Sequence, residues 1–318
     1  MDTRSADTDE AVARLSAGAR QWLVLHAGYL DSAAGRAELP LTPRVKALLQ
    51  LALLRHYWAR TEPADDGLRE VTGIVEQAWR RPDFPHADRL DPRYARQLWL
   101  AYAALAPAGG RAEPYRGLLA RFSAEGYLTP RRKMPYLQLE TRYYADLAGA
   151  AHQLPSYQEL YARSLLARCD DLPAASLDVC EITHTVLYLS DFGFRDPGLT
   201  GGEVERARNT VRQLLELSVR RGTWDYAAKL LLAQHCLGQR PASTAAGRAG
   251  IEMLTRARTA HGAIPGRTAD TRSTPAATAQ QRFRNSYQPT LGTALSTLLI
   301  TAGRAGALTG APAERGQR

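Results

Sequence analysis

The feature that most constrains the fold is a helical period of apolar residues, which runs along almost the whole chain and is broken only by helix-start signals. Capping boxes stand at Asp7–Glu10 and at Ser156 with Glu159. Pairs of a capping residue and a proline stand at Thr42-Pro43, Asp91-Pro92, Glu113-Pro114 and Met134-Pro135. These signals predict about twelve helices, and no two segments have the alternation of paired strands. The expected fold class is therefore all-α.

The number of helices suggests two architectures. About twelve helices in hairpin order suit an (α/α) toroid of about six helix pairs, and they also suit a solenoid of helical repeats. The sequence has no strict period, which favours the toroid. We expect one helical domain over residues 9–304, preceded by a disordered N-terminus over 1–8. A disordered tail, rich in Gly and Ala, is expected over 305–318.

Composition limits the partners of the chain. No apolar run reaches the roughly 18–20 residues needed to span a bilayer, and the N-terminus has no apolar core of a signal peptide. We therefore expect a cytoplasmic protein that does not enter a membrane. The net charge is +9, but 38 of the 41 basic residues are arginines scattered along the chain, as is typical of a high-GC genome. Because a nucleic-acid surface clusters its charges, no nucleic-acid partner is expected; a homodimer stays open.

Residues 177–194 form the most informative segment. At 100° per residue, Cys180, His184, Tyr188 and Asp191 fall on one side of a helix, within roughly 80° of one another, and aliphatic residues fall on the other. Residues 169–194 contain no lysine or arginine, although the chain is rich in arginine. An uncharged polar face of this kind predicts the wall of a cavity.

The chemistry of this face suggests a catalytic group. His184 is the expected proton carrier, since an unperturbed imidazole has its pKa nearest neutrality. Asp191 would orient it, and Tyr188 would donate a hydrogen bond to a developing negative charge. This prediction needs no metal and no cofactor, and it implies a small-molecule or peptide substrate. The alternative is a buried structural network in which the same side chains satisfy their neighbours.

A zinc site is a further alternative. Thiolate and imidazole ligands could come from Cys180 and His184 together with His235 or Cys236. On a continuous helix, however, Asp178 points about 160° away from Cys180, and the adjacent His235 and Cys236 face different directions. We therefore expect no metal and three free thiols.

A second polar group is Glu140, Arg142 and Asp146 in the segment LETRYYADL. Its spacing is typical of a salt-bridged helix face on the surface. No glycine-rich phosphate loop, no G-x-S-x-G elbow and no H-E-x-x-H pair occurs anywhere in the chain. The known catalytic motifs therefore assign no reaction.

The segment EITHTVLYLSDFG (Glu181–Gly193) has the pattern E-x-T-H-T-x-x-Y-L-x-D-F-G. With LETRYYADLAG, TWDYAAKLLLAQ, and GAIPG followed by SYQPTLGTALSTL, it resembles an uncharacterised family of high-GC bacterial proteins found near natural-product gene clusters. The resemblance favours His184, Tyr188 and Asp191 over Cys180 as functional residues. The family often has a histidine where this chain has Gln288. The G-x-I-P-G turn before an apolar helix also resembles toroidal cyclases and prenyltransferases, at the level of the fold.

These observations lead to a ranked set of hypotheses. The first is a biosynthetic enzyme of natural-product metabolism that performs metal-independent acid–base chemistry, as a cyclase or lyase, on an apolar or peptidic substrate. The second is a non-catalytic helical-repeat protein that binds a peptide or a partner protein. Its aromatic anchors would be Trp58, Trp79, Trp99 and Trp224. The third is a zinc-dependent enzyme using Cys180 and His184.

Overall fold

The computed structural model describes residues 3–85, 89–107, 112–129, 133–170, 172–266 and 278–309. Within these ranges the chain is helical and contains no strand, which confirms the all-α prediction. None of the described helices is both long enough and apolar enough to cross a lipid bilayer. The helices are α1 (Thr3–His26), α2 (Ala33–Glu38), α3 (Leu41–Thr61), α4 (Asp66–Trp79), α5 (Pro92–Ala104), α6 (Ala112–Ala124), α7 (Pro135–Leu147), α8 (Tyr157–Ala162), α9 (Val179–Leu189), α10 (Gly201–Arg221), α11 (Trp224–Cys236), α12 (Ala245–Ala257), α13 (Ala279–Arg282) and α14 (Gln288–Thr309).

Several helices begin where the sequence predicts. The Ser156 hydroxyl accepts a hydrogen bond from the Glu159 amide, and the Glu159 carboxylate accepts one from the Ser156 amide, so the capping box of α8 is complete. Asp91 caps α5 ahead of Pro92. Such caps satisfy amide groups that have no partner inside the helix, which is why a local pattern fixes the helix start.

The two termini of the helical region differ from the expectation. Helix α1 begins at Thr3 rather than near residue 9, and α14 continues to Thr309 rather than ending near 303. No glycine or proline lies between Thr3 and Asp7 to interrupt the first helix. Residues 267–277 of the polar stretch, and 310–318 of the tail, lie outside the described residues.

Six helices contact one another in a closed cycle, which we call the inner cycle. Helix α3 packs on α5, α5 on α7, α7 on α9, α9 on α11, α11 on α14, and α14 on α3. The helices α1, α4, α6, α8, α10 and α12 each pack on at least one member of the cycle. A toroid of hairpins requires such a closed cycle, whereas the end repeats of a solenoid do not meet.

Aromatic side chains fill part of the space enclosed by the inner cycle. The hydroxyls of Tyr57 on α3 and Tyr143 on α7 lie 2.5 Å apart, although α5 separates these two helices in the cycle. The Tyr143 ring lies 5.1 Å from that of Tyr188, and the Tyr57 ring lies 4.8 Å from that of Phe192. All four residues are buried. We call these four residues the aromatic layer; it closes the interior towards the C-terminal ends of α3 and α9.

Candidate functional site

Helix α9 holds the two central residues of the predicted site. The Asp178 carboxylate caps its start by accepting hydrogen bonds from the amides of Cys180 and Glu181. The predicted aliphatic face is buried, with Ile182 as an example. On the other face, the rings of His184 and Tyr188 lie 5.7 Å apart, as expected for residues one helical turn apart. The structure thus brings His184 and Tyr188 together.

Asp191 lies elsewhere, so the expectation that it orients His184 is wrong. Helix α9 ends at Leu189, and Asp191 has a left-handed backbone with φ of 46°, so the helical projection no longer applies to it. Its carboxylate accepts hydrogen bonds from the Tyr57 hydroxyl at 2.7 Å and the Arg60 guanidinium at 3.0 Å. Asp191 therefore belongs to the end of the inner cycle that the aromatic layer closes.

The structure adds Glu140 on α7 as a functional candidate. Its spacing from Arg142 and Asp146 had predicted a salt-bridged helix face on the surface instead. Arg142 and Asp146 do form that pair, with 3.5 Å between charged atoms. Glu140 lies about 200° around the helix from Arg142, however, and faces Tyr188 and Gln97. The helical spacing of Tyr136, Glu140 and Tyr144 was the signal in the sequence that could have identified this inward face.

The electrostatics of Glu140 favour its protonated form. Burial raises the pKa of its carboxyl group, and this effect exceeds the opposing ones. Hydrogen bonding with Tyr188 and Gln97, and the positive charges of Lys46 and Lys133, act in the opposite direction. Glu140 makes no ion pair within the described part of the chain. A carboxyl group in these surroundings is suited to donate a proton near neutral pH.

His184 has the opposite shift. Burial and, to a smaller extent, the charges of Lys229 and Lys46 together lower its pKa to about 3, against an opposing effect of Asp178. The imidazole is therefore neutral near pH 7, so its pKa is not near neutrality as the residue type alone predicts. Its Nδ1 atom is buried and has no hydrogen-bond partner among the described residues.

Glu140 and His184 are both half-buried. Each side chain keeps part of its surface accessible, although both are strongly desolvated. We call the partly accessible space beside these two side chains the recess. The ring of Tyr188, which belongs to the aromatic layer, lies 5.7 Å from that of His184. Tyr136, whose ring lies 6.1 Å from that of His184, stands in the first turn of α7.

Glu140 and His184 occupy the same position in their helices, and polar residues occupy this position in the other inner-cycle helices as well. The sixth residues of the inner-cycle helices are Lys46, Gln97, Glu140, His184, Lys229 and Thr293. We call these six residues the polar layer. Buried polar atoms without a described partner occur in three of them, on the side chains of Gln97, His184 and Thr293. Buried polar atoms are usually hydrogen-bonded, so unsatisfied ones in one layer indicate a place for water or a ligand.

The candidate zinc ligands do not come together. No group of three or more histidine, cysteine, aspartate or glutamate side chains within the described ranges is arranged to hold a metal ion. The Cys180 thiol lies 3.8 Å from the Lys229 ammonium, whereas His235 and Cys236 lie beside Gly193. Burial raises the pKa of the Cys236 thiol to about 12, which disfavours the thiolate that zinc requires. All three cysteines have free thiols.

A separate cavity of about 120 Å³ lies outside the inner cycle, between α1 and the π-helical turn Phe283–Tyr287. Aromatic rings line much of it, including those of Trp22, Tyr29 and Tyr287. The nearby His26 imidazole is hydrogen-bonded to the Trp22 carbonyl oxygen at 2.8 Å. This cavity lacks the acid and the unpartnered imidazole of the polar layer, so it is not the candidate catalytic site.

The tryptophans proposed as binding anchors are packed into the protein. Trp58 and Trp79 are buried. Trp99 and Trp224 are half-buried, and the Trp224 indole donates a hydrogen bond to the Pro265 carbonyl oxygen at 2.6 Å. These tryptophans do not supply the exposed aromatic groove that a peptide-binding solenoid would present.

Comparisons with known proteins give a family without an activity. A family model described as a domain of unknown function (DUF6895) matches residues 16–298. This range contains the whole polar layer and the α9 motif. No curated protein and no solved structure matches the chain. These comparisons assign no activity to the chain.

Proposed function

We propose that this chain, which belongs to the DUF6895 family, is an acid–base enzyme that works without a metal in the recess around the polar layer. Glu140 is the general acid, and Tyr188 and His184 hold the reacting oxygen of the substrate. The reaction class is a cyclisation or an elimination in specialised metabolism. The substrate is a small molecule or a peptide with an apolar part.

A single observation carries this proposal. Glu140 is a carboxyl group with a raised pKa and no ion pair among the described residues, and it shares a recess with the neutral, unpartnered imidazole of His184. A structural carboxylate is normally stabilised by a cation or by several donors, because burying it otherwise costs free energy. Pairs of groups whose environments shift their pKa values in opposite directions are typical of catalytic acids and bases.

The surroundings suit proton transfer. Cyclisation and elimination each require a proton to be added at one atom and removed at another, and Glu140 can do both in turn. The Tyr188 phenol stabilises the carboxylate left after donation, since its hydrogen bonding lowers the pKa of Glu140. The unpartnered Nδ1 atom of His184 can hydrogen-bond a substrate oxygen.

The architecture supports the same function. The closed cycle of helix contacts supports the (α/α) toroid over the solenoid, because only a ring brings α14 back onto α3. A recess inside such a ring shields reacting groups from bulk water. The aromatic layer beside it offers apolar surface to the substrate body.

Gene replacement in the producing organism tests the proposal. A strain carrying Glu140→Gln and a deletion strain are compared with the wild type by mass spectrometry of their metabolites. We expect both altered strains to lose the same product and to accumulate the same precursor. The magnitude expected for loss of a general acid is about 10²–10⁴ in rate.

The matched control is Glu216→Gln, which changes a half-buried glutamate on α10 that pairs only with Arg212 among the described residues. This strain should retain the product. Wild-type product levels in the Glu140→Gln strain, with the variant folded, would overturn the catalytic role of Glu140. A deletion strain without any change in metabolites would overturn the biosynthetic function.

A further inference from the structure

One of the three cysteines differs from the other two in its surroundings. Cys169 is buried, and its thiol is hydrogen-bonded with the Leu166 carbonyl oxygen and the Thr210 hydroxyl, each at 3.4 Å. Cys236 is also buried, and burial raises the pKa of its thiol to about 12. Cys180, the second residue of α9, is only half-buried. A small molecule from solvent can therefore reach the Cys180 thiol more easily than the other two.

A cation contacts the Cys180 sulfur. The Lys229 ammonium on α11 lies 3.8 Å from the Sγ atom, and it is the polar partner of that atom among the described residues. The contact joins two neighbouring helices of the inner cycle, since α9 packs directly on α11. Lys229 makes no ion pair with a carboxylate in the described part of the chain. Its charge is therefore available to the sulfur and to a molecule that binds beside it.

Two carboxyl groups stand near Cys180 in the sequence, but neither contacts its sulfur. The Asp178 carboxylate accepts hydrogen bonds from the amides of Cys180 and Glu181 at 2.7 and 3.0 Å, and Asp178 is exposed, so solvent screens its charge. Glu181 follows Cys180 directly and therefore points about 100° away around the helix. Burial raises the pKa of its carboxyl group, which favours the uncharged form. The charge in contact with the sulfur is therefore positive.

Cys180 lies on the helix face that borders the recess. His184 stands one helical turn further along α9, and residues four positions apart are neighbours on the surface of a helix. The Nδ1 atom of His184 is buried without a hydrogen-bond partner among the described residues. The Tyr136 ring on α7 lies 6.1 Å from the His184 ring. A molecule that binds beside His184 therefore comes close to the thiol.

A thiol beside an ammonium group is suited to conjugate addition. The thiol first releases its proton to solvent, because the thiolate is the nucleophile. The thiolate sulfur then forms a bond to the β carbon of an α,β-unsaturated carbonyl compound, and the π electrons of the C=C bond shift so that negative charge develops on the carbonyl oxygen. A cation placed near this oxygen stabilises the charge. A proton from water completes the addition at the α carbon, and nothing is oxidised or reduced.

We propose that Cys180 is a nucleophile at the recess and that the molecule it attacks is an α,β-unsaturated carbonyl compound, whose carbonyl oxygen the Lys229 ammonium stabilises. This inference rests on the proposed function for the recess as the place where the substrate binds. It adds the chemical class of the substrate, an electrophile with a conjugated carbonyl group, and a covalent bond between that substrate and the Cys180 sulfur.

Labelling of the full chain with acrylamide and with iodoacetamide at pH 7.5 tests this inference. The two reagents are similar in size, but only acrylamide develops charge on its carbonyl oxygen, because iodoacetamide releases iodide instead. Mass spectrometry of the peptides gives the labelling rate of each cysteine, and glutathione in the same solution gives the reference rates. We expect acrylamide to label Cys180 faster than Cys169 and Cys236. The ratio of the acrylamide rate to the iodoacetamide rate should be about tenfold higher at Cys180 than for glutathione, the effect of one charge-assisted hydrogen bond.

Variants of Lys229 isolate the effect of the ammonium group. Lys229→Met should lower the acrylamide rate at Cys180 by about tenfold and the iodoacetamide rate by less. Lys229→Arg keeps the charge and should stay within a few-fold of the wild type. The control Arg212→Met removes an exposed cation on α10 and should leave both rates unchanged.

Three outcomes would overturn the inference: a rate ratio at Cys180 equal to that of glutathione, slower labelling of Cys180 than of the buried cysteines, or equal acrylamide rates in the wild type and folded Lys229→Met. The first two are measured on the wild type, so they decide the inference even if the methionine variant does not fold. Glu140→Gln should be labelled like the wild type. Unselective labelling therefore refutes this inference alone, and an active Glu140→Gln strain refutes the proposed function alone.

Discussion

Replacing His184 by glutamine should make the protein more resistant to acid, because it removes an imidazole that the folded state keeps unprotonated. The pKa of this group falls from 6.5 to about 3 on folding, mainly through burial. As the pH drops below 6.5, His184 becomes protonated in the unfolded chain, whereas in the native protein it stays neutral down to about pH 3. The wild type therefore loses stability in this range, and nothing is lost above it.

The magnitude follows from the size of the shift. At about 1.4 kcal/mol per pKa unit, the full shift corresponds to at most about 5 kcal/mol, reached only below pH 3. At pH 4.5, two units below the unfolded pKa, the loss is about 3 kcal/mol. Glutamine has no charged form, so the variant does not show this loss. The difference in free energy of unfolding between wild type and His184→Gln should thus change by about 3 kcal/mol between pH 7.5 and pH 4.5.

Urea unfolding of both proteins at the two pH values measures this difference. His235 and His56 are half-buried histidines whose pKa values are also lowered. Both occur in the two proteins, so their contributions cancel. The variant His261→Gln, at an exposed turn, controls for the loss of a histidine as such. A difference that stays constant to within about 1 kcal/mol across this pH range would refute the neutral, desolvated state of His184.

Three further predictions concern the stability of other variants. Glu140→Gln should raise the midpoint of thermal unfolding at pH 7.5 but not at pH 4. A carboxyl group whose pKa is raised in the folded state lowers stability as the pH rises above 4.5. A lower midpoint at both pH values would contradict this prediction. Asp191→Asn should lower the free energy of unfolding in urea by about 1 kcal/mol and leave product formation intact, since asparagine tolerates the left-handed backbone at this position. Loss of product by a folded variant would show that Asp191 is a catalytic residue. Gly262→Ala should cost about 2 kcal/mol or more, since its φ is 89° and a Cβ atom would lie 2.2 Å from the Gly18 carbonyl oxygen. Gly292→Ala, with open space around it, should change stability little.

The sequence alone determined the helices and much of α9. Asp91-Pro92, Ser156 with Glu159, and the aliphatic face at Ile182 each predicted a feature that the structure contains. These features are predictable because capping and amphipathic periodicity depend on residues within one or two turns of each other. For the same reason, His184 and Tyr188 could be recognised as neighbours before any tertiary structure was known.

The tertiary structure decided which side chains meet and in what charge state. Asp191 lies apart from the predicted group because the helix ends before it. Glu140 belongs to the group because α7 packs directly against α9. The pKa of His184 could not be read from its residue type, since desolvation by surrounding helices sets it. Lys46 and Lys229 stand 183 positions apart in the chain and act on one imidazole, a proximity that only the closing of α14 onto α3 creates. Contacts between distant segments arise from tertiary packing, so they cannot be predicted from the local pattern of residues in the sequence.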